Sequence, residues 1–314
     1  MRRFGWLAAA LVLVSTTTAW AQDAVAVLTE IQPKKGQVQV RTASDTDWVT
    51  PKPLQALRAG DQVRVTGDGR AVLVFTGGRG TQQVTQANSP FKVDIKGDGA
   101  VTDRAKAVLG NVTNFLLGQQ REKTYQSLSV RSVRPQPPVL LTPRDPTLVM
   151  AGVPLTIEWT GSDRLRYTVR VVGPQGSAWQ QTDLERKPLT YAGPTLVPGG
   201  RYTVELETKE HGTLKAQFTV LGADDARRVR EGLAVLTPEA ARGYPPSTLV
   251  LMRAGLLFQE GLYADSRREL VAGIAQYPDE ATLHLLLGHV YDRTDLKQLA
   301  GNEFDEAEAL ASGR

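Results

Sequence analysis

The sequence predicts a multidomain chain with an amino-terminal all-β unit and its following helix, a β-sandwich in the middle, and an α-helical carboxy-terminal unit. Three observations predict it. Apolar residues alternate with a period of two over residues 24–97 and again over 138–221. From Asp224 onward the spacing becomes helical. Between the two β regions lies Arg134-Pro135-Gln136-Pro137-Pro138, a composition that favours an extended, stiff linker.

The chain opens on Arg2 and Arg3, an apolar run from Trp6 to Val14, a polar stretch, and Ala19-Trp20-Ala21. This is the pattern of a secretory leader covering residues 1–21, because the run is too short to span a bilayer and a small-x-small site follows it. The expected mature start is Gln22 and the expected location is a bacterial periplasm, with full secretion as the alternative. No nucleic-acid partner and no integral membrane segment in the mature chain are expected. The sequence contains no cysteine. Thiol catalysis, cysteine metal sites, disulfides and lipid attachment through cysteine are therefore excluded, and the domains must be held by packing.

Charge is unevenly distributed. From Ala223 onward there are ten basic and fifteen acidic residues, whereas residues 22–222 carry a net +7. A basic front half suits contact with anionic envelope polymers, and ordinary solvated surfaces give the same count.

Over residues 24–97, alternation at Gly36-Gln37-Val38-Gln39-Val40, Val63-Arg64-Val65 and, more densely, Ala71 to Phe75 is separated by Gly and Asp turns. The pattern predicts antiparallel sheet with one solvated face, and Asp68-Gly69 predicts a hairpin turn. The segment resembles the FecR-type domain through Gly36 and Val38, Trp48, Leu57 with Gly60-Asp61 and Val63, Gly69, Ala71 with Leu73 and Phe75, and Gly77-Gly78. Members that act as transmembrane regulators add a sigma-factor segment and a spanning helix. This chain shows neither, so the resemblance implies the domain and not that signalling role. Trp48 is expected to plug the core, with ligand stacking as its functional alternative.

Residues 98–137 hold an expected amphipathic helix and the linker. Ala105, Val108, Leu109, Val112, Phe115 and Leu116 fall at helical spacing, with Thr102 or Asp103 as cap and Gly118 as terminator. The helix is expected to pack on the preceding sheet. In residues 138–221, strands are expected at Leu155–Trp159, Tyr167–Val171, Tyr202–Leu206 and Ala216–Val220. Trp159, Tyr167 and the turn Leu196-Val197-Pro198-Gly199-Gly200-Arg201-Tyr202 resemble a fibronectin type III-like module, which implies a spacer or a contact surface.

Residues 224–314 resemble tetratricopeptide repeats in two frames. Ala254, Leu257, Gly261, Tyr263, Ser266, Leu270 and Gly273 mark the first, and Leu287-Gly288, Tyr291, Ala300, Phe304 and Ala307 the second. The small residues allow paired helices to approach, and the aromatics fill the groove. Residues 224–242 are expected to supply one more packing helix.

No catalytic, cofactor-binding or metal-binding residue is predicted. His284 and His289 are five apart on an expected helix and do not share a face, and His211 stands alone. Ser162 lacks a nucleophile-elbow context. The acid pairs Asp224-Asp225 and Asp279-Glu280 and the run Glu303 to Glu308 fit helix starts or polar faces better than paired glycosidase carboxylates. Gly77-Gly78-Arg79-Gly80 reads as a hairpin turn, and Asn111-Val112-Thr113 as a chance glycosylation triplet on a helix. The functional expectation is an exported, non-enzymatic binding or scaffold protein without cofactor, contacting an envelope protein through residues 245–310. The alternative is envelope sensing or attachment to peptidoglycan or another anionic polymer through the FecR-like region.

Overall fold

A computed structural model describes residues 24–94, 103–119 and 137–313. The expected leader, residues 120–132 and the first part of the proline-rich segment lie outside the described residues. The chain combines β-sheets with helices, as a multidomain mixed fold.

The amino-terminal unit has two antiparallel sheets. One orders Ala56–Leu57 (β3), Ala26–Gln32 (β1), Arg70–Phe75 (β5) and Thr81–Val84 (β6); the other orders Gln37–Arg41 (β2), Gln62–Thr66 (β4) and Phe91–Lys92 (β7). Strands β2 and β4 alternate as expected, with Val38, Val40, Val63 and Val65 buried and Gln39 and Arg64 on the outer side. Strands β1 and β5 do not: six of seven and five of six residues are buried. The expected solvated face is absent there. Ala26, Leu28, Ile31, Ala71, Leu73 and Phe75 fill the space between the two sheets, while Val27 and Val74 face a different core made by helices.

The expected amphipathic helix spans Asp103–Gln119 (α1) and buries Ala105, Leu109, Val112 and Leu116. It packs on the sheet side and also on helix Pro246–Gln259 (α3). The glycine-rich segment expected to be a simple hairpin turn is the seat for α1. A β-carbon on Gly78 would stand 2.4 Å from the Lys106 carbonyl oxygen, and Gly78 holds a φ of 67°.

In the middle unit Val139–Thr142 (β8), Thr156–Thr160 (β10) and Leu189–Thr190 (β13) form one sheet. Leu148–Val149 (β9), Tyr167–Gly173 (β11), Gly176–Leu184 (β12), Arg201–Thr208 (β14) and Gly212–Val220 (β15) form the other. Both contribute to a common core around Ile157, Trp159, Tyr167, Val169, Val204 and Phe218. The Tyr202 hydroxyl accepts the Val197 amide at 2.9 Å across the Pro198-Gly199 turn, and its ring stacks on Phe218 at 5.4 Å. Strand β12 is an edge strand of polar composition, which is why alternation of apolar residues does not announce it.

The remaining helices are Ala223–Ala234 (α2), Tyr263–Gln276 (α4), Ala281–Arg293 (α5) and Lys297–Ser312 (α6). Close packing follows the small-against-large logic: Gly273 meets Val250, and Gly288 meets the Phe304 ring. These helices contact both β units. Arg267 on α4 pairs with Glu158 on β10 at 2.7 Å, Arg144 donates to the Thr294 carbonyl at 2.6 Å, and Met150 and Leu221 pack with Val229, Leu257 and Leu262.

The seat for α1 gives a direct test. Gly78→Ala forces a side chain into the helix backbone at a left-handed φ and is expected to destabilise by about 2 kcal/mol or more. Gly118→Ala, with open space around it, should be neutral or stabilise by up to about 1 kcal/mol. Urea titrations of the two variants make the comparison; equal midpoints would remove the seat from the account.

Candidate functional site

Two buried carboxyl groups and one arginine meet where β1 meets the helices. Pairing of β1 with β5 slips between Leu28 and Glu30, so that Thr29 has no ladder partner. Strict alternation from Ala26 and Leu28 would aim Glu30 between the sheets. One extra residue reverses the facing of all that follow, so Glu30 and Gln32 point to the helices while Ile31 returns to the inter-sheet core. The bulge also leaves the Thr29 carbonyl free to accept the Thr282 hydroxyl at 2.6 Å.

Glu30 is fully engaged. Its Oε1 accepts Ser247 Oγ at 2.5 Å and Thr248 Oγ1 at 2.7 Å, both from the first turn of α3, and its Oε2 accepts Arg70 Nη2 at 2.6 Å. Glu280, at the residue preceding α5, receives the Gln32 amide and lies 3.5 Å from Arg70 Nη2. Both carboxylate side chains are 1% exposed, against 30% for Arg70. Burial is the main reason the Glu280 carboxyl is pushed up to about 8; the Glu30 charge adds to this, and Arg70 and Gln32 oppose it. Glu280 Oε2 is buried without a hydrogen-bond partner, which suits a neutral carboxyl better than a charged one.

Two carboxyl groups sharing one cation is an arrangement that acid catalysis also uses. At 1% exposure these two have no surface on which a substrate could sit. What the geometry does is fix the bulged strand, the start of α3 and the start of α5 in one register. Of the acid pair Asp279-Glu280, read from sequence as a helix start, Glu280 is therefore a junction residue. Its partner Glu30 carried no sequence signal beyond being an acid inside an apolar strand.

The other sequence candidates stay apart. His284 Nδ1 lies 2.7 Å from Glu303 across the α5–α6 hairpin, whereas His289 is buried edge-on to Phe304 at 5.1 Å. Asp224 and Asp225 pair with Arg227 and Arg228 one turn on. The Ser162 hydroxyl accepts the Arg164 amide at 3.2 Å in a turn. In the Asn111 triplet Val112 and Thr113 are buried, and Thr113 donates to the Leu109 carbonyl. Among the described residues no group of three or more His, Asp or Glu is gathered to hold a metal, and no helix is long and apolar enough to cross a membrane.

Trp48 requires a correction. It does not plug the core: Val38, Val40, Val63 and Val65 fill the inner face of its sheet. Its half-buried ring lies on the outer side, with the guanidinium carbons of Arg41 and Arg64 at 4.7 and 4.3 Å from its centre.

Two outcomes test the junction. The folded chain holds the Glu280 proton up to about pH 8, while the unfolded chain releases it near the ordinary value of 4.5. Its contribution to stability is thus complete below about 4.5 and lost as pH rises through 8. Thermal midpoints of the wild type should fall across that window, and Glu280→Gln should flatten the fall; parallel profiles would refute the assignment. Arg70→Ala leaves two buried carboxyl groups without their cation and should cost about 3 kcal/mol in chemical denaturation, the low end for a broken buried pair because Arg70 is partly solvated. No protein-family model matches the chain, and no curated protein matches it.

Proposed function

We propose that the chain is an exported, non-enzymatic binding protein of the bacterial envelope, in which helices resembling tetratricopeptide repeats clamp a FecR-like unit and a fibronectin type III-like unit into one frame. The observation that carries this reading is the use made of charged side chains. Glu30, Arg70, Glu280, Glu158 and Arg267 are spent joining elements to one another through ion pairs between strands and helices. Such a frame holds surfaces at set distances and leaves recognition to what remains outside.

Within residues 245–310, much of the helical surface is covered. Helix α3 is buried along most of its length, and α5 packs on β1 and against α3, α4 and α6. Two stretches stay uncovered: α6, whose outer face is polar with Asp305, Glu306 and Glu308 exposed, and the carboxy-terminal half of α4. There Val271 is 43% exposed beside exposed Ala272 and Ala275, with Ile274 half-buried. An apolar strip on a polar rim is the surface type that takes a protein partner, which supports reading α4 as the partner contact.

Site-specific photocrosslinking in intact cells tests this reading. A photoreactive residue at Val271 should give a discrete adduct from the periplasmic fraction, whereas one at exposed Glu239 should not. Adducts of equal yield at both positions, or none at Val271, would argue against the contact. Recovery of the chain with its leader intact in the cytosol would argue against export.

A further inference from the structure

The outer face of the β2–β4–β7 sheet belongs to neither the junction nor the α4 strip. Its register sets Arg41 opposite Gln62 and Gln62 opposite Lys92; Gln39 opposes Arg64, and Gln37 opposes Thr66. The face therefore carries three cations, three amides and a hydroxyl, and no acid. Asp45, Asp47, Asp61, Asp68 and Asp94 all lie in the flanking turns. Asp61 is turned inward, accepting the backbone amides of Ala43 and Arg58.

The hydrogen bonds within the face decide what it offers. Gln39 Oε1 accepts Arg64 Nε at 3.0 Å, and Gln62 Oε1 accepts Arg41 Nη2 at 2.8 Å. Each amide thus gives up its acceptor and keeps its NH2 group. Among the described residues neither arginine is paired with a carboxylate, so the surplus of the face is almost wholly N–H donors with positive charge. Beside them stand the half-buried Trp48 ring and Val49, which is 52% exposed. A ligand matching this surface is rich in oxygen acceptors, negatively charged, extended along a flat sheet and in possession of an apolar face.

We propose that this face binds a carboxylated glycan strand, with Arg41, Arg64 and Lys92 on its carboxylates and Trp48 and Val49 against the C–H face of a sugar ring. Planar guanidinium groups pair with carboxylates through two parallel bonds, and the Gln39 and Gln62 amides supply donors to hydroxyl oxygens. The donors are spread along three adjacent strands, so affinity comes from repeated weak contacts along a polymer. Single-stranded nucleic acid is the poorer match. Sites for it place successive bases on successive aromatic rings, and Trp48 is the one aromatic residue on this face.

Binding of the purified full chain is measured by isothermal titration against polygalacturonate, with dextran as the neutral glycan and oligo-dT as the phosphate polymer. Polygalacturonate should bind, more weakly as salt is raised, and dextran should not. The double variant Arg41→Gln/Arg64→Gln and the single variant Trp48→Ala should each lose about tenfold in affinity or more. Arg230→Gln/Arg242→Gln, which removes the same charge from exposed positions elsewhere, should leave affinity unchanged. Circular dichroism melts of all variants identify any loss that comes from unfolding; for a variant that unfolds, Arg64→Lys keeps the charge, lacks the fork, and should still weaken binding. Absence of polygalacturonate binding overturns the proposal. So does equal loss in the two double variants, or tighter binding of oligo-dT. None of these outcomes bears on the α4 contact, which is read in cells at a different surface.

Discussion

The rest of the structure depends on the second face of the β1–β5 pair being covered. An antiparallel pair in a small β unit ordinarily buries one face and wets the other. Here Val27, Val74 and the polar group around Glu30 face α1, α3 and α5, and the two valines close one side of a core that the helices otherwise fill with their own side chains. Two helical hairpins fall short of the three or so repeats that stack into a stable array. The sheet takes the position of the missing neighbour on one side, and β8–β10 with the turn before β9 takes it on the other. Coverage of the sheet and completion of the helical stack are one event.

What was legible in the sequence follows from this division. Strands β2 and β4 alternate cleanly because one side is wet, and the α3–α4 and α5–α6 hairpins show their glycines and aromatics because that packing is local. The density of apolar residues from Ala71 to Phe75 was visible, but a run buried on both faces does not say what lies on the second one. Its occupants are distant in sequence: Thr248 bonds Glu30 across 218 residues. The bulge at Thr29 was equally hidden, since no glycine marks it, and without the bulge Glu30 has the wrong facing. Trp48 misled for a different reason. A large aromatic in a β unit is usually core, but the valines of its own sheet already fill that space, and the arginines opposite offer it the outer side instead.

A buried pair of carboxyl groups around one arginine is a costly way to hold two elements together. Well-packed apolar side chains of similar volume would often do as well or better in free energy. What the polar junction adds is discrimination. A sheet face of Val27 and Val74 tolerates sliding of a helix along it, because apolar contacts are undirected. Ser247, Thr248 and Thr282 accept only the register in which their hydroxyls meet Glu30 and the Thr29 carbonyl, and any other leaves several buried polar groups unpaired. The junction therefore sets position more than it adds stability.

Fixed position gives the external surfaces their meaning. Without contacts between the β1 sheet and the helices, nothing would fix the basic sheet face relative to the α4 strip, and a partner on one would carry no information about the other. With β1 locked to α3 and α5, and α4 locked to β10 through Arg267 and Glu158, the two surfaces belong to one body. On the proposed reading, an attachment at the sheet face would orient a partner held on α4. Charge is divided in the same way within the frame: cations on β2, β4 and β7 are presented outward, while Glu158 of the basic half and Glu280 of the acidic tail are turned inward as fastenings.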